Sequence, residues 1–241
     1  MKKLRPLSER TYGYHVRKFL RWLGGKEPTR ELALKYLEEL EKEGKSRNTL
    51  GVARNALKRE FGFDLPSYKM EFKEPKYLDV ETVRKLVEKA PTLLEKTIIT
   101  LLFDTGCRLG EILGLTVDDI EWDTGVITVE RKGGRRERVK VSPKGMEALR
   151  EWLARRQSKD RRVFMDHDYQ SIYYRLRKFS REVGIRFTPH MLRHSRVVHL
   201  LKSGVPLERV SDIVGHTKLE TTAKIYGRFR AEDLAPYLKE W

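Results

Sequence analysis

Five side chains, spread over two stretches, have the types and spacing to break a phosphodiester. Thr188-Pro189-His190-Met191-Leu192-Arg193-His194 is followed by Val214-Gly215-His216 and, ten residues later, by Tyr226. Eighty-two residues before His190 sits Thr105-Gly106-Cys107-Arg108-Leu109-Gly110-Glu111. Two arginines and two histidines can hold phosphate oxygens, and the tyrosine can attack phosphorus. Such a reaction needs a nucleophile, neutralisation of the nonbridging oxygens, and a proton for the departing oxygen. Cationic donors around the phosphate can supply the charge without a metal.

The elements that must position these groups follow from local rules. Arg193 lies three residues after His190, so a helix puts both on one face. Thr188 is a good N-cap and Pro189 suits the first helical position. A helix start there also favours an anion. His-x-x-Arg alone is common on surface helices; its weight comes from Arg108, His216 and Tyr226. Arg108 stands among apolar residues and must find a partner. Glu111 offers a salt bridge, while a phosphate offers a bidentate fit to the guanidinium fork, and the phosphate is favoured. The phenol of Tyr226 has an unperturbed pKa of about 10 and needs help to attack. Cys107 reads as a small buried thiol. His194 and His199 read as packing or backbone-bonding residues, and His15 and His167 receive no role. No carboxylate or cysteine cluster accompanies the histidines, so no metal is expected.

The first seventy residues read as three helices. One spans about 8–23, with Tyr12, Val16, Phe19, Leu20 and Leu23 inward and Gly24-Gly25 as the stop. A second, capped by Thr29, carries Leu32, Tyr36, Leu37 and Leu40. A third, capped by Ser46, carries Leu50, Ala53, Leu57 and Phe61 on one face. Arg47, Arg54, Lys58 and Arg59 ride mostly off that face and are candidate DNA contacts. Residues 66–77 lack periodicity between prolines and read as a linker. A helix capped by Asp79 and a very apolar helix over 93–103 follow. Residues 126–129 and 138–141 read as a hairpin around Gly133-Gly134. Further helices are expected at 143–157, 170–183, 189–203, 206–214, 219–226 and 231–240. The domains expected are 1–65, helical and DNA-binding, and 78–241, catalytic, with a tail helix over 231–240.

Bulk properties fit a polyanion-binding protein. Net charge is +16 with pI near 9.9. The excess is spread: 18 basic against 11 acidic residues in 1–75, and 33 against 24 in the rest. Both parts carry it, which suits a protein gripping DNA from two sides. One cysteine excludes an internal disulfide and a cysteine-based zinc site. No apolar run is long enough to span a bilayer, and Met1-Lys2-Lys3-Leu4-Arg5-Pro6 lacks a signal peptide's apolar core. A cytoplasmic, DNA-associated protein is expected. Few Asn and Gln beside abundant Lys, Arg and Glu resemble thermophile composition.

Taken together, the Arg108, His190-x-x-Arg193, Gly215-His216 and Tyr226 motifs resemble the tyrosine recombinase (phage integrase, Cre, Xer) family, most strongly over about 78–230. The resemblance implies a mainly α fold: a helical core-binding domain and a mostly helical catalytic domain with a small antiparallel β-sheet. It implies that Tyr226 is the nucleophile, that His190 serves as acid/base, that His216 donates to the phosphate and that Glu111 orients the site. It maps Lys132, on the hairpin turn, onto the lysine that protonates the leaving oxygen. Neighbouring Arg131, Arg135 and Arg136 then read as DNA contacts, since arginine is a poor proton donor. The implied activity is site-specific recombination of double-stranded DNA through a 3′-phosphotyrosine, without metal, ATP or other cofactor, by a homo-tetramer on two sites. The rivals are a type IB topoisomerase-like nicking-closing enzyme and a non-catalytic DNA-binding protein on the same fold. Leu234, Tyr237, Leu238 and Trp241 form an apolar stripe that docks either on its own domain or on a neighbouring protomer.

Overall fold

The structure, a computed structural model, describes residues 6–69, 76–131, 133–156, 158–165 and 167–215. Lys132, His216, Tyr226 and the helices expected at 219–226 and 231–240 lie outside the described residues. The chain divides into two compact units, Met1–Lys73 and Glu74–Trp241. The division falls within the stretch read as a linker.

The described residues of the first unit form three helices, α1 (Pro6–Leu23), α2 (Arg30–Lys42) and α3 (Arg47–Phe61). Thr29 and Ser46 cap α2 and α3 by accepting from the amides of Leu32 and Thr49. Gly62 ends α3 at φ 73°, the left-handed region that favours glycine. Phe19, Leu23, Leu37, Leu50 and Leu57 make the core. Leu20 departs from its expected inward place and is 44% exposed. The buried stripe of α1 runs through His15, Phe19 and Leu23, four residues apart, and Leu20 is one step off it.

In the second unit α4 (Val80–Glu88) is capped by Asp79 and leads to α5 (Leu93–Thr105). α5 is apolar almost all round, so it must be covered all round. Ile98, Ile99, Leu101 and Leu102 are fully buried, and α4, α7 (Pro143–Arg155) and α9 (Pro189–Lys202) pack against it. A five-residue helix, α6 (Leu109–Leu113), and a 3-10 turn at Val117–Asp119 follow α5. Three antiparallel strands come next in the order β1-β2-β3: β1 (Ile120–Glu121), β2 (Val126–Glu130) and β3 (Arg136–Lys140). Ile127 pairs with Val139 and Glu130 with Arg136. Ile127, Val129 and Val139 face the core, and Arg136, Arg138 and Lys140 charge the edge strand outward. α8 (Tyr169–Glu182) and α10 (Leu207–Val214) complete the described helices.

A buried ion pair ties α8 to α5. Glu95, 3% exposed, accepts from Arg175 Nε at 2.5 Å and from the Thr92 hydroxyl. Burial pushes its pKa up, but the bonds from Arg175 and Thr92 outweigh that and hold it below the ordinary glutamate value. No helix among the described residues is long and apolar enough to cross a membrane.

Candidate active site

α5 ends on Gly106, whose φ of +64° suits glycine and turns the chain towards Arg108. A Cβ at this position would lie 2.9 Å from Val214 Cγ1, so α10 packs onto this turn. Thr105 closes the helix by donating to the Leu101 carbonyl, and its hydroxyl accepts from the Cys107 amide. Cys107 is fully buried, and burial pushes its thiol pKa up, so it stays a protonated packing group.

Arg108 stands just before α6. Glu111, three residues on, accepts from the Arg108 amide at 2.8 Å and from its Nη1 at 2.7 Å. The salt bridge open to Arg108 from sequence is therefore made. It uses one donor, and the Arg108 side chain remains 40% exposed. Glu111 is 8% exposed.

α9 begins as expected, with the Thr188 hydroxyl accepting from the Met191 amide and Pro189 in the first turn. Its inward face carries Leu192, Arg193, Ser195 and Val197. Ser195 fastens the helix by donating to the Met191 carbonyl and accepting from the Leu78 amide. Arg193 is 3% exposed and donates from Nη1 to the Gly106 carbonyl at 2.6 Å. Its Nη2 is buried without an acceptor. Burial, then the charge of Arg108, pushes the Arg193 pKa down to about 10. A buried guanidinium with an orphaned donor beside a second arginine is costly unless an anion joins it.

His190 lies on the exposed side of the same first turn. Partial enclosure of its ring, then Arg193 and Arg108, hold its pKa below the ordinary histidine value, so it is neutral at neutral pH. His194, ring to ring with His190 at 6.5 Å, is pushed down to about 4 by burial and by His190 and Arg193. The structure thus brings together Arg108, Glu111, His190 and Arg193. Lys132, His216 and Tyr226 follow or flank described segments in sequence, and their side chains lie outside the described residues.

The arginines read as DNA contacts divide. Arg131, read as a DNA contact, is not a surface residue: it is 5% exposed and donates to Glu111 and to the Ile213 carbonyl. Arg54 is half-buried and turns its guanidinium onto the Leu65 carbonyl, through Nε at 3.0 Å and Nη2 at 2.5 Å, clamping the chain after α3. Arg135 pairs with Glu137 and Arg136 with Asp119, both side chains 65% exposed. Arg47, Lys58 and Arg59 lie exposed on α3.

A groove missed from sequence opens beside the α9 N-terminus. It encloses about 710 Å³ and is lined by Tyr173, Arg177, Arg181, Arg186, Phe187 and Thr188. No carboxylate among the described residues pairs with Arg177, Arg181 or Arg186, whereas Lys178 beside them pairs with Glu182. Basic residues four apart on a helix, without acidic partners, were the available signal.

Residues 76–232 match the profile of the phage integrase family. The chain is 32% identical to tyrosine recombinase XerA of Thermococcus kodakarensis over 248 aligned residues, covering 95% of this chain and 87% of that relative. It is 30% identical to tyrosine recombinase XerD of Halalkalibacterium halodurans over 226, covering 80% and 75%. Among solved structures it resembles a XerA recombinase, with TM-score 0.63, 22% identity, and 99% and 95% coverage. It also resembles a XerH site-specific recombinase bound to its difH substrate after cleavage, with TM-score 0.75, 21% identity, and 96% and 79% coverage. The profile spans well over half of the sequence and the relatives align along most of both chains, so this chain belongs to the phage integrase family and is a tyrosine recombinase.

Proposed function

We propose that this recombinase cuts and rejoins double-stranded DNA at specific sites, with Arg108 and Arg193 holding the scissile phosphate. The observation that carries this reading is the surplus of positive charge around Glu111. Arg108 and Arg131 share that buried carboxylate, whereas Arg193, buried close by, donates only to the Gly106 carbonyl and leaves Nη2 without an acceptor. A phosphodiester supplies the missing anion, and two guanidinium forks stabilise the charge that builds on its oxygens during attack.

In this mechanism Tyr226 attacks phosphorus and forms a 3′-phosphotyrosine as the bond to the 5′ oxygen breaks. Lys132 gives that oxygen its proton. Neutral His190 takes the phenolic proton, and His216 donates a hydrogen bond to the phosphate. A 5′ hydroxyl from a partner strand then attacks the phosphotyrosine and restores the tyrosine. The bond energy stays in the covalent link, so neither a metal nor a nucleotide is needed. The Arg177, Arg181 and Arg186 groove seats the backbone beside the α9 N-terminus, and Arg47, Lys58 and Arg59 add phosphate contacts. Recombination between two sites engages four protomers.

The test is to incubate the protein with duplex DNA in EDTA, trap covalent complexes with denaturant, and probe the cut ends. The mechanism predicts protein on the 3′ phosphate and a 5′ hydroxyl that polynucleotide kinase labels. Strict need for a divalent ion, or 5′-phosphate ends, would reject it.

A further inference from the structure

We infer that Arg131 is a positioning residue that locks Glu111, and through it Arg108, to the C-terminal end of α10. The inference rests on the reading of Arg108 as a phosphate-binding group. Arg131 belongs to a run that reads as an exposed basic turn, Glu130-Arg131-Lys132-Gly133-Gly134-Arg135-Arg136. Yet its guanidinium is buried where three elements meet. Nη1 donates to Glu111 Oε2 at 2.6 Å, reaching α6. Nη2 donates to the Ile213 carbonyl at 3.1 Å, reaching α10. Nε lies 3.4 Å from Glu137 Oε2 on β3. The backbone of Arg131 closes the base of the hairpin by donating to the Arg135 carbonyl at 2.7 Å.

The end of α10 is shaped to receive this side chain. Gly215 ends the helix at φ +65°, and a Cβ there would lie 2.6 Å from Arg131 Nε. Only glycine lets the backbone approach so closely. Lysine in place of Arg131 could reach one of these acceptors but not span them, because it presents a point charge where arginine presents a fork.

Glu111 also explains why this lock bears on chemistry. Its Oε2 accepts from Arg131 and from the Arg108 amide, which leaves Oε1 for a single bond to Arg108 Nη1. Arg108 is thereby fixed in direction by one donor while its other donors stay available to an anion. Without Arg131, Glu111 is free to turn both oxygens onto the Arg108 guanidinium in a bidentate pair that competes with phosphate. The same side chain also fixes backbone next to two proposed site residues, since Lys132 follows Arg131 and His216 follows Gly215.

The experiment compares the wild-type protein with Arg131→Lys, Arg131→Met, Glu111→Gln and the Arg131→Lys/Glu111→Gln double variant. The probe is a nicked duplex carrying the sequence recovered from covalent complexes of the wild type. Single-turnover cleavage, DNA affinity across a salt series and melting are measured on each. Arg131→Lys should bind DNA within about twofold of wild type with an unchanged salt slope, and cleave at least about tenfold more slowly. Because Arg131 acts through Glu111, the double variant should cleave no more slowly than Glu111→Gln alone. Arg131→Met should show the same slow cleavage; if it melts too low to assay, Arg131→Lys carries the comparison. Weakened affinity with a salt slope reduced by about one would make Arg131 a direct phosphate contact and overturn the inference. Unchanged cleavage, or independent losses that multiply in the double variant, would overturn it too. Absence of any wild-type covalent complex would instead remove the underlying mechanism.

Discussion

Replacing Gly106 by alanine tests how the fold builds the proposed phosphate site, because three constraints meet at that residue. Its φ of +64° is left-handed, and an alanine there costs about 1–2 kcal/mol. The new Cβ would stand 2.9 Å from Val214 Cγ1, and Val214 is fully buried and cannot swing into solvent. Overpacking of that kind costs about 1–3 kcal/mol. The two terms give a central loss of about 3.5 kcal/mol, or roughly 10 °C in melting temperature for a unit of this size. The Gly106 carbonyl also accepts from Arg193 Nη1, so any backbone shift moves the buried arginine. Single-turnover cleavage should therefore fall more than DNA affinity does. Gly110→Ala is the internal control. It lies in α6 without a left-handed φ, and a Cβ there meets nothing within 4 Å. That variant should melt at the wild-type temperature or slightly above it. Calorimetry of the three proteins decides: a Gly106→Ala protein that melts with the wild type would refute the packing of α10 against the end of α5.

Other perturbations separate the remaining parts of the account. The Glu95 pKa is depressed in the folded state, so its contribution is present above the ordinary glutamate value and is lost as pH falls through the folded one. Glu95→Gln should therefore be less stable than wild type at neutral pH, with the difference narrowing in urea titrations below about pH 4. Arg181→Ala with Arg186→Ala should weaken DNA binding uniformly across sequences and lower the salt slope by about two; an unchanged slope would remove the groove from the DNA path. Lys132→Ala should cleave ordinary DNA slowly and recover on a substrate with a 5′-bridging phosphorothiolate, whose sulfur leaves without a proton. Equal losses on both substrates would move the acid elsewhere.

Local rules made much of the frame legible. Thr29, Ser46, Asp79 and Thr188 each accept the amide bond expected of an N-cap, because capping depends on residues within one turn. The apolar run after Asp79 reads as a buried helix, and α5 is one. The hairpin around Gly133-Gly134 follows from β-rich runs and glycines at φ 94° and 79°. Short elements escaped: α6 has five residues and β1 two, too few to show a period.

Arg131 shows where sequence reasoning stops. Its neighbours form a basic run, and basic runs are usually solvated. What buries it are Glu111, 20 residues away, and Ile213, 82 residues away. Its carboxylate partner is a glutamate that sequence assigns to Arg108, and its second partner is a backbone carbonyl, which no side-chain pattern encodes. Arg54 follows the same logic, since the Leu65 carbonyl that captures it becomes available only once the chain turns back after Gly62.

The most direct test of the central claim is to map the covalent linkage. Wild-type protein trapped on its DNA should yield one nucleotide-bearing peptide after proteolysis and mass spectrometry, with the phosphate on Tyr226. Tyr226→Phe should bind the same DNA with unchanged affinity and form no adduct. A phosphate mapped to another residue, or normal adduct formation by Tyr226→Phe, would contradict the account.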